Sequence, residues 1–241
     1  MRPPLVIAHR GASGHAPENT LAAFERAVEL GAGFIETDLR LTRDLQFVAL
    51  HDEMLERTTN GRGPVQEHAL ADVRKLDAGQ WFDRQFRGQR IPTLDEILVF
   101  GRQHDVVFYL EVKYDAAWGM HHALLAALRN TESTARTVVI SFDPATLVAL
   151  RKADSSIMMG LLVNEKRPDI VEESLNAGAR QLCLRSTLVT PDLIERAHKS
   201  DLHIIPWTVN SADEMRTMIA AGVDGIMTNF PDRLRAVIED M

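Results

Sequence analysis

Eight short runs rich in β-branched and other apolar residues punctuate this 241-residue chain, and a helical pattern follows each one. They are Leu5–Ala8, Phe34–Leu41, Val107–Val112, Val138–Phe142, Met158–Val163, Gln181–Leu184, His203–Val209 and Gly225–Thr228. Strand, helix and strand in steady repetition signal right-handed βαβ crossovers and a parallel sheet. Successive runs start 29, 73, 31, 20, 23, 22 and 22 residues apart, about one βα unit each except for the second. Eight such units predict a closed (β/α)8 barrel of the TIM type in preference to an open doubly wound sheet.

The intervening segments read as helices with their own punctuation. Leu21, Phe24, Ala27 and Val28 fall on one face, as do Ala123, Leu124, Ala127 and Leu128. Pro144, Pro191 and Pro231 follow strands by a few residues and suit helix starts, and Pro17 reads the same way. The long second interval must hold an insertion. Its first part, Phe34 to Leu50, reads as a hairpin turning at Asp44-Leu45. Its second part, Glu53 to Ile91, is polar and carries the loop-forming run Asn60-Gly61-Arg62-Gly63-Pro64. Thr93 to Gln103 supplies the missing helix, with Thr93 and Glu96 spaced as a capping box. The expectation is one barrel domain over residues 1–241, with 53–91 a small excursion over its mouth.

The charge balance narrows function. A formal net charge of -7, without a run of Lys or Arg, speaks against nucleic-acid and anionic-membrane partners. The single cysteine, Cys183, can build neither an internal disulfide nor a thiolate metal cage. Only four apolar residues, Leu5 to Ala8, precede His9, short of the roughly 7–15 of a secretory signal. A cytoplasmic protein is expected, with no stable membrane association, as a monomer or homo-oligomer.

In such a barrel, functional side chains collect where strands end, at the C-terminal face. His9 and Arg10 end the first predicted strand; Glu36 and Asp38 lie two apart near the end of the second and share a face. Glu111 and Lys113 do the same on the third. A hairpin turning at Asp44-Leu45 sets Asp38 opposite His51, bringing that histidine to the same mouth. Three carboxylates crowded in a low-dielectric cleft repel one another, and a hard divalent cation, Mg2+ or Ca2+, resolves this through oxygen ligation. With Arg10 and Lys113 added, the site carries one surplus positive charge, which suits a phosphodiester anion. Two histidines near their unperturbed pKa of ~6.5 can divide the acid and base roles.

These residues also form a known pattern. Ile7-Ala8-His9-Arg10-Gly11, Pro17-Glu18-Asn19-Thr20, Glu36-Thr37-Asp38 and His51-Asp52 resemble the glycerophosphodiester phosphodiesterases, as does the run Leu55-Glu56-Arg57-Thr58-Thr59-Asn60-Gly61. Pro92-Thr93-Leu94, Glu111-Val112-Lys113, Trp207-Thr208-Val209-Asn210 and Gly222-Val223-Asp224-Gly225-Ile226 continue the resemblance in order along the chain. It implies a distorted TIM barrel with a small insertion after the second strand. It also implies metal-dependent cleavage of a small-molecule glycerophosphodiester to glycerol 3-phosphate and an alcohol. By position, Glu36, Asp38 and Glu111 would hold the metal, His9 and His51 would be the acid–base pair, and Arg10 and Lys113 would bind phosphate. Trp207 would line the glycerol side. The family's usual hairpin reads Asp-Gly where this chain has Asp44-Leu45. Positive φ at leucine costs ~1–2 kcal/mol, so a different turn is expected there, with Asp38 still facing His51. Asn229 stands where the family often has Asp and reads as an ordinary loop residue. Two rivals are a related phosphodiesterase acting on lysophospholipids and a catalytically silent binding barrel. The first wants an apolar rim, and the excursion is mostly polar, with Trp81-Phe82 and Phe86 as exceptions; the second wants catalytic positions missing, and all five core ones are present.

Overall fold

The computed structural model describes residues 3–113 and 120–241. Its strands are β1 (Leu5–His9), β2 (Phe34–Leu41), β3 (Phe47–Ala49), β4 (Val107–Val112), β5 (Thr137–Ser141), β6 (Met158–Val163), β7 (Gln181–Arg185), β8 (His203–Trp207) and β9 (Gly225–Thr228). Eight of them pair in parallel in the order β8-β7-β6-β5-β4-β2-β1-β9, while β3 pairs antiparallel with β2 outside the ring. Asp224 N donating to Ile204 O (2.9 Å) and Val209 N to Met227 O (3.0 Å) draw β9 against β8 without a strand ladder between them, so the barrel is nearly closed. The helices are α1 (Leu21–Glu29), α2 (Leu70–Val73), α3 (Leu94–His104), α4 (Met120–Asn130), α5 (Pro144–Ala153), α6 (Ile170–Asn176), α7 (Pro191–Lys199), α8 (Ala212–Ala221) and α9 (Pro231–Glu239). All but α2 follow the strands of the ring. Among the described residues no helix is long and apolar enough to cross a membrane.

Alternation along the strands produces two apolar layers. Ile7, Tyr109, Val138, Ile140, Leu162, Cys183, Ile205 and Met227 fill the barrel interior. Their neighbours, such as Ile35, Leu110, Val139 and Ile204, pack outward against the helices. Proline opens α5, α7 and α9, where its missing N–H costs nothing. Thr93 and Glu96 form the full capping box of α3. Pro17 does not open α1. Thr20 caps that helix instead, accepting from Ala23 N and donating to Pro17 O (2.6 Å), so proline sits in the preceding turn.

The hairpin departs from expectation in two linked ways. Leu45 does take positive φ, +59°, and the loop has three residues, Arg43 to Leu45, with Thr42 N donating to Gln46 O (3.0 Å) and Leu45 N to Thr42 O (2.9 Å). A turn followed by one left-handed residue is the common three-residue hairpin. Its strain is offset by the Asp44 carboxylate, which accepts from Thr42 Oγ1 (2.6 Å) and Leu70 N (2.9 Å). An odd loop length shifts the register by one. Leu39 therefore pairs with Ala49, and Leu50 N donates to Asp38 O (3.1 Å), so Asp38 faces Leu50 and not His51. Residues 53–91, polar in sequence, still bury a small cluster, in which Leu55, Val65, Val73, Ala78 and Ile91 pack with Val48 and Leu50 of the hairpin.

Candidate active site

The site is built on sheet register. Glu36 lies beside His9 across β1 and β2, and Asp38 lies beside Glu111 across β2 and β4. Side chains two apart share a face, so the three carboxylates converge. Their oxygens lie within 4.8 Å of one another, and Glu36, Asp38 and Glu111 are 2%, 0% and 8% exposed.

The turn after β1 aims at this cluster. Arg10 and Gly11 both have positive φ, +56° and +78°, and Arg10 N donates to Glu36 Oε2 (2.9 Å). A Cβ on Gly11 would lie 2.7 Å from the Ala23 backbone, so only glycine lets the turn lie flat on α1. The Arg10 side chain places Nε 3.2 Å from Asp38 Oδ2 and Nη1 2.9 Å from Glu18 Oε1. Lys113 Nζ sits 2.6 Å from Asp38 Oδ1 and 2.5 Å from Glu111 Oε1. Asn19, also buried, donates from Nδ2 to Asp38 Oδ2 (2.9 Å) and accepts from Thr37 Oγ1 (2.7 Å).

Two bases thus face three buried acids, and one negative charge stays unmatched. Burial pushes Asp38 up, but Lys113 and Arg10 outweigh it and hold the carboxyl well below its usual range. Burial, then the charges of Asp38 and Glu111, drive Glu36 well above its ordinary value. Burial and Asp38 likewise push Glu111 up to about 7, against the pull of Lys113. Acids held on the edge of neutrality are what a cation would reverse. Asp38 Oδ1, for which the described residues offer no aligned hydrogen bond despite its ion pair with Lys113, keeps a lone pair for such a ligand. The hard, all-oxygen donor set suits a divalent cation of the magnesium or calcium kind.

The histidines flank this cluster. His9 Nε2 lies 3.9 Å from Glu36 Oε2, and Nδ1 is 2.8 Å from Asn229 Oδ1. Since Asn229 Oδ1 can only accept, Nδ1 carries the proton and Nε2 presents its lone pair to the site. Burial, helped by Arg10, lowers this imidazole to about 4. His51 reaches the site despite the shifted register because β3 stops at Ala49 and the chain bends over 51–53, where strand alternation no longer applies. Arg40 Nε holds the His51 carbonyl (2.8 Å), and Asp52 Oδ1 lies 2.6 Å from Nδ1. Burial lowers His51 as well, with Asp38 pulling up and Lys113 and Arg10 pushing down. Trp207 ends β8, donates to Cys183 O (3.0 Å) and meets Phe142 edge-on at 5.7 Å.

All eight residues singled out from sequence therefore gather on the barrel's C-terminal side. Glu36 and Asp38 lie inside β2, which runs on past them to Leu41, level with the ends of β1 and β4, and the other six lie at strand ends or in the loops beside them. Asn229 and Asn19 escaped the sequence reading as working parts. Asn229 is oriented by Asn210, whose Oδ1 accepts from the Asn229 backbone N–H (2.9 Å). Its partner His9 lies 220 positions away, so no local signal marks it.

A TIM barrel that gathers a buried carboxylate triad and two histidines at one end of its strands has the layout of an enzyme of that fold. The model of the glycerophosphoryl diester phosphodiesterase family matches residues 9–233, and the chain belongs to that family. It is 39% identical over 232 residues to a glycerophosphodiester phosphodiesterase of Caldanaerobacter subterraneus, covering 95% of this chain and 96% of the relative. Among solved structures, a glycerophosphodiester phosphodiesterase from Agrobacterium tumefaciens matches with a TM-score of 0.85 at 30% identity, covering 97% of this chain and 99% of the other. An Oleispira antarctica phosphodiesterase in complex with the product sn-glycerol-3-phosphate matches at 0.90 and 27% identity, covering 98% and 97%.

Proposed function

We propose that this protein hydrolyses glycerophosphodiesters to glycerol 3-phosphate and an alcohol, with Glu36, Asp38 and Glu111 holding one Mg2+ or Ca2+ ion. The observation that carries the reading is the buried triad of acids, short of one positive charge, between His9 and His51. When bound, the cation would act as a Lewis acid on the phosphoryl oxygens.

Arg10 and Lys113 supply positive charge to the phosphate from either side of Asp38. His9, neutral and with Nε2 unprotonated, is suited to take a proton from a nucleophile. His51, its Nδ1–H held by Asp52, is suited to give one from Nε2 to the leaving alkoxide when it enters the step as an imidazolium, the form that Asp38 and Asp52 favour, and microscopic reversibility lets them exchange roles in a later step. Each transfer contributes ~10²–10⁴-fold. Trp207 and Phe142 give the mouth an apolar wall for the glycerol carbons.

A coupled assay for released glycerol 3-phosphate tests this across several headgroups and a lysophospholipid, after chelation and with each cation restored. Turnover that disappears with chelator and returns with Mg2+ or Ca2+ is expected, as is near-complete loss in His9→Ala and His51→Ala. Activity indifferent to chelation rejects the metal, and full activity in either variant rejects the pairing.

A further inference from the structure

Arg57 belongs to the 53–91 segment and does not line the carboxylate cluster, yet its guanidinium makes four hydrogen bonds at the edge of the site. Nε donates to Asp52 Oδ2 (2.5 Å) and Nη2 to Asp52 Oδ1 (3.1 Å), while Nη1 and Nη2 donate to Glu18 Oε2 and Oε1 (both 2.8 Å). Each carboxylate has a second engagement. Asp52 Oδ1 holds His51 Nδ1 (2.6 Å), and Glu18 Oε1 holds Arg10 Nη1 (2.9 Å). One planar cation therefore stands between the supports of a histidine from the hairpin and an arginine from the turn after β1.

We infer that Arg57 is a positioning residue that sets the His51 ring through Asp52 and the Arg10 side chain through Glu18. The inference rests on the reading of His51 and Arg10 given above. An ordinary surface ion pair is the competing account, since the Arg57 side chain is 43% exposed and exposed pairs add little to stability. What separates the two is that both carboxylates point onward into the site. Without Arg57, Asp52 loses the fork that fixes its plane and can rotate away from Nδ1, so the imidazole samples other orientations. Glu18 then directs its whole charge at Arg10 and competes with the phosphate for it. The first effect lowers kcat and the second raises KM. Lysine cannot replace the arginine, because an ammonium is a point donor without the fork that spans two carboxylates.

The test is steady-state kinetics on a glycerophosphodiester with Arg57→Ala and Arg57→Lys, alone and in a His51→Ala background, alongside thermal unfolding. Arg57→Ala should lose about 10–100-fold in kcat, the usual cost of removing the support of a working side chain. KM should rise several-fold, and the melting temperature should stay close to that of the unaltered protein. Arg57→Lys should recover only part of the loss. In the His51→Ala background, removing Arg57 should raise KM without a further fall in kcat. Unaltered kinetics in Arg57→Ala, full recovery by lysine, or a kcat loss that adds to that of His51→Ala would overturn the inference. The underlying reading fails differently, by an inactive unaltered protein or a fully active His51→Ala, before Arg57 is altered at all.

Discussion

Lys113→Met removes the ammonium that bridges Asp38 and Glu111 while keeping an apolar stem of similar length. The three side chains are only 12%, 1% and 10% exposed, so water cannot replace the lost partner. Removing one member of a buried pair costs about 3–5 kcal/mol, because it strands the other charge. For a chain of this size that is a fall of roughly 6–20 °C in melting temperature. The loss depends on pH. Glu111 already titrates at about 7 with Lys113 present, and losing that cation raises it further. An acid whose folded pKa lies above its unfolded value binds more protons when folded, so its cost grows as pH rises through that interval. The deficit should therefore be full near pH 8.5 and fall to about half or less near pH 5.5, where Glu111 is neutral and Asp38 keeps Arg10 and Asn19. Thermal unfolding in chelator at both pH values measures it. Adding Mg2+ or Ca2+ should restore part of the loss at the higher pH, since a ligand of the folded state stabilises it. A variant as stable as the unaltered protein at pH 8.5 would refute the electrostatic account of the site.

Two other outcomes follow from the histidines. The folded His9 titrates at about 4 against 6.5 for an ordinary histidine, so between those values the unfolded chain binds more protons. Stability should thus fall as pH drops from 6.5 towards 4, by up to about 3 kcal/mol from this group, and chemical denaturation of a metal-free His9→Gln variant should show a total loss over that interval smaller by up to that amount. Asn229→Leu removes the acceptor for His9 Nδ1–H, and kcat should fall about 10–100-fold with little change in melting temperature; kinetics and a thermal scan check both.

The barrel was legible because each of its parts is signalled within a few residues. Short apolar runs place β2, β4, β6 and β9 at the boundaries read from sequence, and Pro144, Pro191 and Pro231 open the helices they were expected to open. Glu36, Asp38 and Glu111 were readable for the same reason, since a two-residue spacing along a strand fixes a shared face. The start of α1 was misread because Pro17 and Thr20 are both plausible openers, and only Thr20 lies where its hydroxyl meets Ala23 N. The role of Asn229 could not be read at all, because it exists only where the last strand returns beside the first.

The pattern of residues settled that this chain forms eight βα units with acids and histidines at the strand ends, since periodicity and spacing act over short distances and survive in a linear reading. Register, bends and long-range hydrogen bonds settled how those residues meet. Asp44 secures a left-handed Leu45 through Thr42 and Leu70, which moves the hairpin by one position and sets Leu50 opposite Asp38. His51 joins the site through a bend past the strand end, and Arg57, Asp52 and Glu18 meet through contacts spanning up to 39 positions. Such contacts depend on the distances between chain segments after packing, which no local pattern encodes.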